Sequence, residues 1–366
     1  MTSSYDLTTE QGLRDYLAAT RSENTSVKLL TGGTANYVYR ATRQDGSTSI
    51  FKHAAPYLHS NKDFAFDPAR MDYEAHVLEA LSLKKTMPER DPSRENLGMH
   101  AVELLGYDQE KKLLEIEDGG SRNLKEAYTD MEFEIPNIGR KLGIWLSLQH
   151  TFFHGFLLEL PDLDRSGNKN NDIAVKIYRY SYNGLHTALE QFGHDTQLAH
   201  RANEEFGSLL ATDDETVCHG DFWPGNVLVR PRTSRSTELT IVDWEMVRRG
   251  TTATDVAQFA AEAFLLDRFR GGKGLLPPFL RAYIHRRVDM KQPNKAWVRR
   301  MVVHWAVHVA FWPTRVEWAD KEETKKLVDI GVAALEAVLA NDWEKVLELP
   351  LFKEVKEVFV QVLQRP

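Results

Sequence analysis

The chain has 366 residues, 42% of them hydrophobic and 27% charged, with a net charge of −7. That size and apolar content suit a globular protein of two ordinary domains, and the acidic balance excludes the basic face on which nucleic-acid binders depend. A single cysteine, Cys218, rules out an internal disulfide and a cysteine-based zinc site. The polar N-terminus, and the absence of an apolar run near the roughly 20 residues that span a bilayer, point to a cytoplasmic protein without a membrane partner.

In chain order, Thr8 followed by Gln11 makes a capping box for a first helix ending near Ala19. The period then becomes that of strands, with β-branched and aromatic residues over 27–31 and 37–42. Between them lies the glycine turn Gly32-Gly33-Thr34-Ala35-Asn36. Gln44-Asp45-Gly46 predicts a hairpin into a third strand over 47–53. Residues 54–68 read as a mobile loop, and 70–83 has helical spacing through Met71, Tyr73, Ala75, Val77, Leu78 and Leu81. Strands over 102–107 and 112–117 complete a first part that is mainly antiparallel sheet with one inserted helix. Asp118-Gly119-Gly120-Ser121 is the expected boundary, dividing the chain into 1–118 and 119–366. Beyond it the pattern is helical over 137–150, 197–210, 255–269, 297–311 and 324–339, with a loop over 161–171. Two short apolar strands, 226–230 and 239–243, interrupt the helices. The predicted class is α+β, a small sheet lobe followed by a larger, mainly helical one.

Four polar clusters sit on this frame. In His219-Gly220-Asp221-Phe222-Trp223-Pro224-Gly225-Asn226, an Asp precedes an Asn by five positions in a loop that runs into a strand. Asp221 can accept or orient the proton of a substrate hydroxyl, and the Asn226 oxygen can ligate magnesium on a nucleotide; an ordinary polar turn is the bland alternative. Asp243, 22 residues after Asp221, ends an apolar strand and begins Asp243-Trp244-Glu245. A hairpin between 227–229 and 239–242 would carry Asp243 to Asn226, where both could reach one metal. Lys52 stands on the strand after the glycine turn, with Glu74 on the next helix as its natural acidic partner. The glycine turn lets backbone N–H groups approach phosphates, although paired glycines are common in hairpins as well. The order of the pieces carries more than any one of them: glycine turn, strand Lys, helix Glu, hinge, H-G-D-x-x-x-x-N, then D-x-E.

This order resembles that of the kinase-like phosphotransferases. His219-Gly220-Asp221 through Asn226, with Asp243-Trp244-Glu245, is similar to the aminoglycoside phosphotransferase and choline kinase superfamily. Protein kinases usually carry H-R-D and D-F-G at these places, and no A-P-E segment follows here. Phe51-Lys52-His53-Ala54-Ala55-Pro56-Tyr57 and the stretch from Gly32 to Tyr39 resemble methylthioribose kinases. The chain also resembles the fungal 4-hydroxytryptamine kinase of psilocybin synthesis over 6–10, 48–56, 223–229, 242–245, 308–312 and 331–334.

The resemblance implies a two-lobed protein-kinase-like fold and an enzyme that uses ATP and Mg2+. It implies Asp221 as catalytic base, with Asn226 and Asp243 on magnesium and Glu245 nearby. It places Gly33, Thr34 and Lys52 at the phosphates, Glu74 against Lys52, and the backbone of Glu117 to Gly119 against adenine. Methylthioribose kinases hold their substrate with an arginine pair on a late helix, and Arg299-Arg300 lie at a similar place; the tryptamine kinase lacks that pair. It also lacks the catalytic-loop His, so His219 reads as a structural hydrogen-bonder.

The substrate pocket is expected between Asp221 and the C-terminal helices, with Arg300, Trp305 and Trp312 as candidates. His304, His308, Glu317 and Trp318 crowd the same region. An aromatic wall with an acid would suit an aromatic or methylated amine, while core packing accounts for the tryptophans equally well. The expected reaction passes the γ-phosphoryl of ATP to a hydroxyl of a small molecule, either a methylthioribose-like sugar or a hydroxytryptamine-like amine. An aminoglycoside- or choline-type kinase is the alternative. So is a catalytically silent binding protein of the same fold, against which stands the presence of Lys52, Asp221, Asn226 and Asp243 together. His154, His186, His194, His200 and His219 have no compact ligand spacing, which disfavours a metal hydrolase.

Overall fold

The computed structural model describes residues 5–21, 25–85, 97–155, 163, 170–233, 236–287 and 293–365. The first part contains α1 (Glu10–Arg21), β1 (Ser26–Leu29), β2 (Tyr37–Thr42), β3 (Thr48–His53), β4 (Tyr57–Leu58), β5 (Asn61–Ala65), α2 (Arg70–Lys85), β6 (Met99–Ala101), β7 (Leu104–Asp108) and β8 (Leu113–Glu117). The second begins with α3 (Leu124–Ala127), α4 (Ile135–Gly155), α5 (Asp172–Tyr178), α6 (Tyr180–Gln191) and α7 (Gln197–Ala202). Then come β9 (Thr216–Cys218), β10 (Val227–Thr233), β11 (Ser236–Ile241), β12 (Arg248–Gly250) and α8 (Thr252–Phe269). The chain ends with α9 (Leu276–Arg286), α10 (Lys295–Phe311), α11 (Lys321–Leu339), α12 (Trp343–Leu347) and α13 (Lys356–Leu363). Among the described residues, no helix is long and apolar enough to cross a membrane.

The front sheet runs β1-β2-β3-β8-β7, antiparallel throughout. Strand alternation sorts its two faces. Tyr39 and Phe51 face α1, where they join Leu13 and Leu17 in a small core. Ile50, Leu114 and Ile116 face α2 and pack with Met71, Ala75 and Leu78 in a core continuous with that of the helical part. Two residues on from Ile50, Lys52 is thereby turned toward α2. The first helix is capped one residue later than the sequence suggests: Gly12 N donates to Thr9 Oγ1 at 3.0 Å, while the Thr8 hydroxyl is spent on Asp6.

Three expectations change on the structure. The stretch 54–68 is not simply a loop, because β4 and β5 form an antiparallel hairpin within it. Beyond α2, β6 stands apart from the front sheet and pairs in parallel with β11, making a three-stranded sheet β10-β11-β6 in the second part. Three residues of Met-His-Ala show no period, so the sequence does not reveal it. Finally, the single helix expected over 197–210 breaks after Ala202 into a π turn at Asn203–Gly207 and a 3-10 turn at Ser208–Ala211. Helices α3, α5, α6, α9, α12 and α13 lie outside the helical spans read from sequence. The loop expected over 161–171 falls mostly on residues outside those described.

Candidate active site

On the front sheet, Lys52 Nζ donates to Glu74 Oε2 at 2.6 Å. The same ammonium meets Asp243 and lies 3.5 Å from Glu245 Oε2. Lys52 is only 6% exposed. Burial by itself would lower its pKa, but Asp243, Glu245 and Glu74 outweigh it and hold the ammonium above its ordinary value. Asp243 moves the other way: burial pushes it up, and Lys52 prevails and holds it below the usual carboxylate range. The cluster therefore holds an ionised lysine against an ionised Asp243, while burial pushes Glu74 up to about 7 against the pull of Lys52.

The rear half of the site is set by β9, a tight loop and the β10–β11 hairpin. Val227 pairs with Ile241 and Val229 with Leu239, which carries Asp243 back beside the loop that holds Asn226. Gly220 has φ +83°, and a Cβ there would sit 1.8 Å from the Met246 carbonyl oxygen, so only glycine fits. Asp255, at the start of α8, accepts from the backbone N–H groups of His219 and Gly220 at 2.8 and 3.1 Å and pins the loop to that helix. Asp221 N donates to His219 Nδ1 at 3.2 Å. The ring proton is therefore on Nε2, which donates to the Val242 carbonyl at 3.2 Å. Burial pushes His219 down to about 4, against the pull of Asp255 and Asp243, so the ring is neutral near pH 7 and ties the loop to Asp243's strand.

Asp221 is partly exposed and held by two amides. Asn226 Nδ2 donates to Oδ2 at 2.9 Å and Gln258 Nε2 to Oδ1 at 2.6 Å. Burial, with Asp243 close by, pushes the carboxyl from 3.8 up to about 7 despite those two donors. Asp243 adopts φ +67°, a left-handed conformation worth roughly 1–2 kcal/mol of strain for a residue with a Cβ. The next residue, Trp244, is locked by its N–H on Glu74 Oε1 (3.1 Å) and by its ring 4.4 Å from that of His219.

Glu245 joins the two halves. Its Oε2 accepts from Asn36 Nδ2 at 2.7 Å and lies 3.3 Å from Arg70 Nε, while Arg70 also donates to Asn36 Oδ1 at 2.9 Å. Arg70 is fully buried, with its guanidinium 4.0 Å over the Phe66 ring. The glycine turn is thus anchored at Asn36. Its middle is stapled by the β4–β5 hairpin, where Ser60 N donates to Thr34 O at 3.0 Å and His59 N to Ala35 O at 3.2 Å. Gly33 faces open space. Glu117 closes β8, and a Cβ on Gly119 would come within 2.9 Å of Thr240, so the segment linking the two parts lies tight against β11.

Glu74, Asp243 and Glu245 present oxygens within 4.8 Å of one another. Both bonds made by the Asn226 amide use Nδ2, which makes Oδ1 the atom available to a cation. An all-oxygen donor set of this kind fits magnesium. Glu245 is the least free of them, since its Oε2 is engaged by Asn36, Arg70 and Lys52.

Two substrate candidates need correction. Arg300 donates to the Phe206 carbonyl at 2.6 Å and pairs with Asp213, so its guanidinium is consumed inside the helical core; Arg299 leans on Glu205 at 3.5 Å. Trp305 is 0% exposed beside the Phe264 ring, leaving no surface for a ligand. Trp312 is partly buried, 6.1 Å from His308 and 6.2 Å from Tyr180, at the end of α10 nearest the Glu262–His308 pair. Sequence reasoning missed Asp255, Gln258, Asn36 and Arg70. The first two were discoverable as polar residues one turn apart in a helix that is otherwise mostly apolar.

A family model described as a phosphotransferase enzyme family matches residues 26–296. The chain belongs to that family. It is 26% identical over 375 residues to the 4-hydroxytryptamine kinase of Psilocybe cubensis, covering 96% of this chain and 98% of the relative. The enzyme of the same name from Psilocybe cyanescens is 27% identical, over 90% of this chain and 93% of its own. Among solved structures, the GDP complex of aminoglycoside 2'-phosphotransferase-IIIa superposes with a TM-score of 0.50 at 13% identity, covering 91% and 99% of the two chains. This phosphotransferase is a small-molecule kinase with the two-lobed kinase-like fold.

Proposed function

We propose that this phosphotransferase moves the γ-phosphoryl group of ATP to a hydroxyl of a small molecule, with Asp221 as the base. The observation that supports this reading most is the meeting of Lys52, Glu74 and Asp243 at one point, with Asp221 and Asn226 alongside. Nucleotide phosphates would lie against Lys52 under the turn at Gly33 and Thr34, with adenine against the backbone of Glu117 to Gly119. Asn226 and Asp243, with Glu245 at the margin, would hold magnesium, whose charge offsets that of the phosphates when it is bound. Asp221 takes the proton of the acceptor hydroxyl as its oxygen attacks, and Asn226 and Gln258 fix the carboxylate's orientation for that transfer.

The acceptor is read as a hydroxytryptamine-like amine rather than a methylthioribose-like sugar. The alignment with the tryptamine kinases runs nearly end to end, whereas the arginine a sugar kinase would use is committed to Asp213. The experiment is ADP release from ATP and magnesium in the presence of candidate hydroxyl acceptors. Asp221→Ala should lower turnover by roughly 100-fold or more, as expected for loss of a general base, while nucleotide affinity stays near wild type. Activity retained at a tenth of wild type would remove Asp221 from the role.

A further inference from the structure

The two parts of the chain are tied together at two places. One tie is covalent, the segment from Glu117 to Gly119 at the end of β8. The other runs from the glycine turn to Glu245, where Asn36 Nδ2 donates to Oε2. The register of the front sheet sets the ties apart: Tyr37, next to Asn36, pairs with His53, whereas Glu117 pairs with Ser49. The stretch of β3 between those pairs spans about 13 Å, and Lys52 stands on it.

The second tie is built from both sides. Asn171, the N-cap of α5, donates Nδ2 to the carbonyls of Glu245 and Val247 at 3.2 and 2.9 Å, so the second part fixes where Glu245 leaves the chain. Met246 is buried with Phe66 and Ala174, and Ala35 and Leu58 pack against them, which seats the turn and its hairpin on α5. From the first part, Arg70 grips the carbonyls of Phe66 and Asp67 at 2.9 and 2.8 Å as well as Asn36. Glu245 is its one ion-pair partner among the described residues, and a buried guanidinium left without its carboxylate is strongly destabilising. Glu245 therefore cannot turn to a metal without releasing Asn36 and Arg70 together. Exposure separates the two acids of D-x-E in the same sense: 35% for the Asp243 side chain and 5% for that of Glu245.

We propose that Glu245 is a latch rather than a magnesium ligand: through Asn36 it holds the glycine turn down over the nucleotide phosphates, with Asn36 and Arg70 as positioning residues for that roof. The inference rests on the phosphotransfer reading and narrows it, leaving Asn226 and Asp243 as the side chains that face the metal. The first acid of D-x-E then serves the cation, and the second sets the spacing between the two parts of the site.

The test is calorimetric binding of ADP to the full-length protein, in magnesium and in chelator. The ratio of the two affinities is the magnesium factor, and by linkage it falls when a metal ligand is lost. Asn36→Ala, which removes no charge, should weaken ADP about ten-fold in both conditions, the worth of one hydrogen bond to a charged group, and leave the factor unchanged. Glu245→Gln should also keep the factor, whereas Asp243→Asn should lower it by roughly ten-fold or more. Asn36→Ala that binds ADP as tightly as wild type overturns the proposal, even with a lowered melting temperature, because the tie is then merely structural. Loss of the factor in Glu245→Gln, with ADP still bound in chelator, makes Glu245 a ligand; that sinks the latch and spares the phosphotransfer reading. Should Glu245→Gln fail to fold, Asn36→Ala decides alone. A wild type that binds no ADP in magnesium sinks the phosphotransfer reading and the latch with it.

Discussion

Asp221→Asn should abolish turnover and yet stabilise the nucleotide-free protein, by an amount that depends on pH in one direction only. The folded chain holds the Asp221 proton until about pH 7, whereas its ordinary value is 3.8. Between those values the native state binds more protons than the unfolded state, so stability falls as pH rises through that window. The full cost is present above pH 7 and absent below about pH 4. A displacement from 3.8 to about 7 corresponds to a ceiling of about 4 kcal/mol. Asp221 is partly exposed and water screens it, so about half of that, on the order of 2 kcal/mol, is the working figure. Asparagine carries no charge to bury, and Gln258 can rotate its amide so that the unpartnered Oε1 accepts from the new Nδ2. For a chain of this length, 2 kcal/mol amounts to a rise of roughly 2–3 °C in Tm. The assay is thermal unfolding of wild type and variant in chelator at pH 4.5, 6 and 8. The gap should be small at pH 4.5 and widest at pH 8. A variant less stable at pH 8, or a gap that does not change with pH, would refute the reasoning.

Three further substitutions test other parts of the site. Gly220→Ala drives a methyl group into the Met246 carbonyl at a φ of +83°, and should cost about 3 kcal/mol or more, read as a lowered urea midpoint. Lys52→Met leaves Glu74 and Asp243 without their shared cation; it should destabilise the protein by roughly 3–5 kcal/mol. Magnesium should then raise the melting temperature of that variant more than that of wild type, and an equal response would count against the carboxylates as the cation site. Arg300→Met strands Asp213 and should cost about 3 kcal/mol with an unchanged KM for the acceptor. A large KM increase at normal stability would return Arg300 to the substrate.

The parts of this molecule that could be read from sequence are those where local pattern and chemistry coincide. Strand β2 alternates between buried and half-buried residues and β3 carries a run buried on both faces, one meeting α1 and the other α2, and the loop from His219 to Asn226 announces itself because a glycine, an aspartate and an asparagine are each needed at fixed offsets. What stayed hidden depends on neighbours distant in sequence. The pairing of β6 with β11 joins residues about 140 apart and leaves no period in either segment. Helix α9 opens Leu276-Pro277-Pro278, which reads as a break although proline is at home in a first helical turn. Arg300 and Trp305 looked like pocket residues because charge and aromaticity suggest recognition, whereas on α10 the one is paired and the other sealed by the helices packed around it. The same helix packing works in the opposite sense on α8. There it buries Gln258 against Asp221 and Glu262 against His308 and leaves one oxygen of each without a hydrogen-bond partner, a difference that no spacing in the sequence distinguishes from an ordinary polar residue on a helix face.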